Sequence, residues 1–280
     1  MEANVLAQQQ QQEHHQQQQE HLQQKQPVLQ PQASSTTAQS APPPRPAVAK
    51  DAIALADRDR VRLINTNPAR TAMIRQVIQQ NWKQGIHLEK PIGETGHDFK
   101  LKGIPWHCVA DDAVTARRLV LAMIRAMAQM GWVMMASVDI VTMGCNADTM
   151  YFELETRKIM DPTLPMEPAE MFAMTFDTLV GAIRLIDASP IVIELIKQAI
   201  LAKWSKGIKS INTFVEATQF TLNGSIPHPS SKREIEFKLV LLQILANLNP
   251  QGFKLYGSVD VQSNNGADMW VFRRIGPGWS

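Results

Sequence analysis

Four aspartates are the residues of this 280-residue chain whose type and spacing come nearest to chemistry. Asp139 with Asp148, and Asp260 with Asp268, flank a hairpin read in each half of the chain, so two carboxylates can approach each other at each. Paired carboxylates can divide general-acid and general-base work or hold a cation. Aspartates at hairpin ends also bond local backbone N–H groups, and their recurrence in both halves fits that structural role. They are expected to be structural. His97, His107, Cys108 and Cys145 are the ligand types of a zinc site. His107 and Cys108 are adjacent rather than spaced, and the second half has no counterparts, so no metal and no cofactor are expected.

Basic groups suited to phosphate contacts are Arg58, Arg60, Arg62, Arg70 and Arg75, then Lys203, Lys206 and Lys209, with Lys100 and Lys102 sharing an outer strand face. The alternative is a solvated charged surface, because acids interleave elsewhere. Trp106 follows Pro105 in a loop, and Trp279 lies near the end of the chain; an exposed tryptophan is a strong partner anchor, a buried one is core. A glycine-rich phosphate loop, G-x-S-x-G, H-E-x-x-H and C-x-x-C are all missing from the sequence, so no catalytic residue is assigned.

Composition bounds the setting. Hydrophobic residues make up 44%, enough for a packed core, and 28 basic against 26 acidic residues leave a formal charge of +2. That balance is unlike a dedicated nucleic-acid binder. Two cysteines cannot staple a scaffold. There is no secretory pattern and no apolar run near the roughly 20 residues of a membrane helix. The expected setting is intracellular, cytoplasmic or nuclear. Residues 1–50 form a tail with glutamine runs, then Ser, Thr, Ala and Pro up to Pro42, Pro43 and Pro44. It has too little apolar area to offset the entropy of ordering, and is expected to be disordered.

The remainder repeats itself at an offset of about 121 residues. Arg62-Leu63-Ile64 returns as Arg184-Leu185-Ile186, Pro68 as Pro190, Trp82 as Trp204, Gly85-Ile86 as Gly207-Ile208. Phe99, Leu101 and Gly103 return as Phe220, Leu222 and Gly224; Ser137-Val138-Asp139 as Ser258-Val259-Asp260; Phe152 as Phe272. Copy one is read as 51–157, a linker as 158–170 and copy two as 171–280.

Each copy reads as β-α-β-α-β-β. Asn67-Pro68 and Ser189-Pro190 start a first helix that buries Ile74, Ile78 and Trp82, or Ile193, Ile196, Ile200 and Trp204. A variable loop leads to a strand at Phe99–Lys102. A second helix runs from about Asp112 to Met130, with Val114, Met123, Ile124 and Met127 matching Ile235, Ile244, Leu245 and Leu248; Ser231 and Glu234 have capping-box spacing. Alternation then puts Trp132, Met134, Ala136, Val138 and Ile140 on one face of a strand, which turns back through Met150, Phe152 and Leu154. An extra strand is allowed at Met171–Phe176. The expected fold is α+β, a mixed sheet with two helices per copy, with a right-handed first crossover where its strands are parallel.

The run Phe99-Lys100-Leu101-Lys102-Gly103-Ile104-Pro105-Trp106, followed by Arg117-Arg118-Leu119-Val120, Gly131-Trp132, Ser137-Val138-Asp139 and Asp148, resembles an uncharacterised eukaryotic family, often tandem, with an FKLxGxPW element and an RRL…GW…D…D…F pattern. Copy two departs from it at Ile226-Pro227-His228 and Leu239-Val240. The resemblance implies a fold unit and supplies no catalytic residues.

The function expected from these readings is a non-catalytic tandem-domain interaction or scaffold protein, with protein partners meeting Pro105, Trp106, Lys100, Lys102, Arg117 and Arg118. The alternative is a nucleic-acid-associated protein using basic outer faces. The least favoured reading is an enzyme with a site between the copies, using Asp139 or Asp260. No membrane partner is expected.

Overall fold

A computed structural model describes residues 48–108, 110–139, 147–164, 166, 170–177, 180–224, 232–261 and 268–274. The tail up to residue 47, Ile140, both hairpin turns (Gly144-Cys145-Asn146 and Asn264-Asn265-Gly266), Ile226-Pro227-His228, Ser231 and Trp279 lie outside them.

Copy one comprises β1 (Lys50–Ala56), β2 (Arg60–Ile64), α1 (Pro68–Asn81), β3 (Ile86–Ile92), β4 (Gly96–Leu101), a 3-10 turn (Pro105–His107), α2 (Ala110–Gln129), β5 (Trp132–Val138) and β6 (Thr149–Leu154). A short helix, α3 (Thr156–Met160), leads out of it. Copy two repeats the plan with β7 (Met171–Asp177), β8 (Ala182–Ile186), α4 (Pro190–Lys203), β9 (Ile208–Phe214), β10 (Ala217–Leu222), α5 (Lys232–Leu248), β11 (Phe253–Val259) and β12 (Met269–Arg274). The two sheets have the same order, β3-β4-β2-β1-β6-β5 and β9-β10-β8-β7-β12-β11.

The α+β duplication stands, but the sheet is not mixed. Every strand pairing is antiparallel. The reason is the segment read as a variable loop. It is β3 in copy one and β9 in copy two, which run out along the sheet edge so that β4 and β10 return antiparallel to β2 and β8. These edge strands are exposed almost throughout, so their sequences carry no buried alternation. Pro91 sits in β3, where an edge tolerates a missing donor.

Local sequence sets the helix ends. The Asn67 side chain accepts the Arg70 N–H at 3.0 Å, capping α1. Gly85 (φ 78°) and Gly207 (φ 69°) take the left-handed conformation after α1 and α4. The indole N–H of the preceding tryptophan then ties helix to sheet: Trp82 donates to the Lys102 carbonyl at 2.9 Å, and Trp204 to the Asn223 carbonyl at 3.2 Å.

Alternation fails in β5. Between Met134 and Ala136 the register shifts, so Met135 is an extra residue and Ser137, not Ala136, follows Met134 on the helix-facing side. The same bulge in β11, between Leu255 and Gly257, leaves Tyr256 as the extra residue.

The two cores differ around one strand pair. Asp51 stands opposite Phe152 in copy one, and Phe172 stands opposite Phe272 in copy two. Buried Asp51 pairs with the Arg70 guanidinium, which lies 4.6 Å from the Trp132 ring centroid. In copy two the corresponding group is apolar: Phe172 stacks on Phe272 at 4.7 Å and meets Phe253 edge-on at 5.4 Å. Val192 occupies the helical position of Arg70.

Burial pushes the Asp51 carboxyl up from 3.8 to about 6, against the pull of Arg70. A carboxyl raised on folding favours the folded state below its unfolded value, and that contribution is lost as pH rises through the folded value. Asp51 is therefore expected to make the protein less stable by about 3 kcal/mol at most on going from pH 4 to pH 6.5. Denaturant unfolding of wild type against Asp51→Asn across that range checks it: the difference between the two should change with pH. A single Asp51→Phe change leaves Arg70 without its partner and is expected to cost about 3–5 kcal/mol. Asp51→Phe with Arg70→Val, which copies the other core, is expected to be neutral or stabilising.

Candidate functional site

The two copies do not pack as separate beads. Helix α2 lies between the sheets. One face, with Leu119, Val120, Met123 and Met127, is buried on its own sheet, as Val240, Ile244 and Leu248 are on theirs, with Leu241 half-buried beside them. Its opposite face carries Val114, Leu121, Ile124 and Ala128 at helical spacing, also buried. That face shares one continuous core with Ala173, Ile186, Val259 and Val271, on the face of the second sheet turned away from α4 and α5.

Charged groups rim this joint. Asp187, in the left-handed conformation (φ 56°) after β8, accepts from Arg118 at 3.2 Å and from Arg125 at 2.6 Å. Arg118 also donates to the Val215 carbonyl at 3.1 Å, and Arg125 to the Met171 carbonyl. Arg117 is buried and donates to the Ala113 carbonyl at 3.2 Å; burial holds its guanidinium below the usual arginine range.

At the sheet edges, the β11 bulge aims Tyr256 across the joint, and its hydroxyl accepts the Met134 N–H at 2.6 Å. Burial raises this phenol above its ordinary value, so it stays neutral and able to donate in turn. Beside it, a Cβ on Gly257 would come 2.3 Å from the Met134 methyl, so a larger residue there needs Met134 to move.

The aspartates meet across the copies rather than within one hairpin. The Asp148 carboxylate accepts from the Ser137 hydroxyl at 2.8 Å and from the Asp260 N–H at 2.9 Å, while the Asp148 N–H donates to the Asp260 carbonyl at 3.0 Å. Asp148 is buried, which holds its carboxyl above the ordinary range. Exposed Asp268 accepts from Ser258 at 2.8 Å inside its own hairpin. Asp139 is exposed on β5's C-terminal side. The chemistry in view is backbone bridging between copies.

Trp106, expected as an exposed anchor, is fully buried with Pro105, and its indole N–H donates to the Arg60 carbonyl at 2.8 Å. A proline-started 3-10 turn folds the loop inward onto β2. Lys100 pairs with Asp59 at 3.7 Å; the exposed Lys102 offers its carbonyl to Trp82. The first-strand basic groups are mostly spoken for: Arg60 and Arg62 by Asp57 and Asp98, Arg70 by Asp51, Arg75 by Glu89. His97 faces Glu89 at 3.7 Å, Cys108 donates to the Pro105 carbonyl, and Cys145 lies outside the described residues. Among the described residues, no group of three or more His, Cys, Asp or Glu could hold a metal, and no helix is long and apolar enough to cross a membrane.

The chain belongs to a domain family of unknown function. It matches the family twice, over residues 51–153 and 171–273. No curated protein and no solved structure matches it. The tandem reading and the family resemblance therefore stand, and the joint is a contact between two domains of one family.

Sequence reasoning missed Asp187, Arg125, Tyr256 and the back face of α2. A signal was present for the last: α2 is apolar on both sides, and a helix hydrophobic all round is buried all round. Two stability measurements check the assignments. Trp106→Ala is expected to cost about 3–5 kcal/mol in denaturant unfolding, as loss of a core aromatic does. Asp187→Ala strands two guanidiniums and is expected to cost about 1–3 kcal/mol.

Proposed function

We propose that this protein is a non-catalytic interaction scaffold whose docking surface is the outer face of copy two's helices. The carrying observation is a stripe on α5. Ile235, Leu239 and Leu242 are spaced i, i+4, i+7 and are exposed, at 64%, 45% and 61%. Helix α4 adds exposed Ile191 and Leu201, where α1 has Ala69 and Gln79. Single exposed leucines are ordinary on a protein surface, but a helical stripe of large apolar side chains marks a contact surface. The proposed surface replaces the Pro105-Trp106 loop, whose side chains are spent on the core.

A photoreactive phenylalanine analogue in place of Leu242, in cells, tests this. Discrete protein adducts are expected from position 242 and not from Gln79, on the first helix of copy one. No adduct at 242, or equal labelling at both positions, would sink the proposal.

A further inference from the structure

Resting on that docking surface, we infer that its occupant is the first sheet of a second copy of this chain. The template is the joint already inside the molecule, where the back of α2 is covered by the outer face of the second sheet. Each half of that joint has an equivalent elsewhere in the chain, and each equivalent carries exposed apolar residues.

On the helix side, Val114 and Leu121 are 1% and 0% exposed, and their counterparts in α5 are Ile235 and Leu242 at 64% and 61%. On the sheet side, Ile186 and Val259 are both fully buried, and their counterparts are Ile64 at 50% and Val138 at 41%. Ala52, itself buried, stands where Ala173 does, and Tyr151 where Val271 does, while Lys50 and Thr149 replace Met171 and Met269. The chain thus holds one closed joint and, at Ile235, Leu242, Ile64 and Val138, two open counterparts of it.

The charges favour this pairing. In the closed joint Asp187 binds Arg118 and Arg125. At the corresponding places the open helix has Leu239 and Ala246, and the open sheet has Asn65, which repeats the left-handed conformation of Asp187 (φ 61° against 56°). Both sides have lost their charge together. At these positions joining the open halves strands no ion, whereas a mismatched pairing would bury an uncompensated one; Lys50, which stands where Met171 does, is paired with Glu153 on the same sheet. Arg60 and Arg62 on the first sheet's face and Arg184 on the second's are each paired close by, the first two with Asp57 and Asp98 and the third with Asp177.

Such a contact is heterologous, helix of one chain to sheet of the next, and builds head-to-tail oligomers or a closed ring. Sedimentation velocity on the full chain tests it, with Leu242→Glu blocking the helix half and Ile64→Glu blocking the sheet half. Both positions are exposed, so both variants should fold, which circular dichroism verifies. Wild type is expected to associate with rising concentration, and each variant alone to weaken that association by roughly 100-fold, as for a carboxylate forced against an apolar face. The equimolar mixture should form a one-to-one heterodimer, because each variant keeps the half that the other lacks.

A wild type that stays monomeric overturns the inference. So does an Ile64→Glu variant that still dimerises alone, since that marks a symmetric helix-on-helix contact. A mixture that fails to pair overturns it as well. If self-association fails while position 242 still crosslinks to a different protein in cells, the docking surface stands and only its occupant is wrong.

Discussion

A helix with two apolar faces governs this molecule. Helix α2 buries Leu119, Val120 and Met123 on its own sheet, which is what any helix of a two-layer domain does. It also carries Val114, Leu121 and Ile124, which its own domain cannot cover. Fully burying side chains of this size stabilises by about 1.5–3 kcal/mol each. The second sheet supplies that cover, so copy two stabilises copy one. The ion pairs around Asp187 are worth less, about 0–1 kcal/mol each where solvent reaches them. Their role is to fix the angle and register of an apolar contact that alone would be slippery. The bridge through Asp148 and Asp260 does the same at the far edge, and its hydrogen bonds are directional where the apolar contact is not.

Duplication freed the copies to diverge where their surroundings differ. Copy one keeps a buried Asp51–Arg70 pair under Trp132, and copy two fills that space with Phe172, Val192 and Phe253. Copy one's second helix is enclosed and copy two's is open, yet the open one carries Ile235 and Leu242 where the enclosed one has Val114 and Leu121. That exposed stripe is the reason for reading α5 as a contact surface.

Much of the fold was legible. The matched landmarks announced two domains, and Asn67-Pro68 and Ser189-Pro190 marked helix starts through backbone chemistry that acts over a few residues. The edge strands β3 and β9 were not legible, because an exposed strand has no buried face to print a period of two on the sequence. The bulges in β5 and β11 were hidden too: one extra residue shifts the phase of an alternation without changing its composition. The candidate site fared worst. Trp106 and the retained aspartates were visible as residues, but their partners lie 46 and 112 positions away.

What the sequence determined by itself was local and periodic: where helices begin and end, which helix faces are apolar, and that the chain says everything twice. Tertiary structure decided whether a tryptophan is anchor or core, whether an arginine is a free charge or a clamp, and which of two equivalent apolar helix faces is covered. The physical reason is that burial and pairing belong to surfaces assembled from distant segments. Val114 and Ile235 are much the same residue at the same place in the same helix; only the sheet lying over the first makes one core and leaves the other facing solvent.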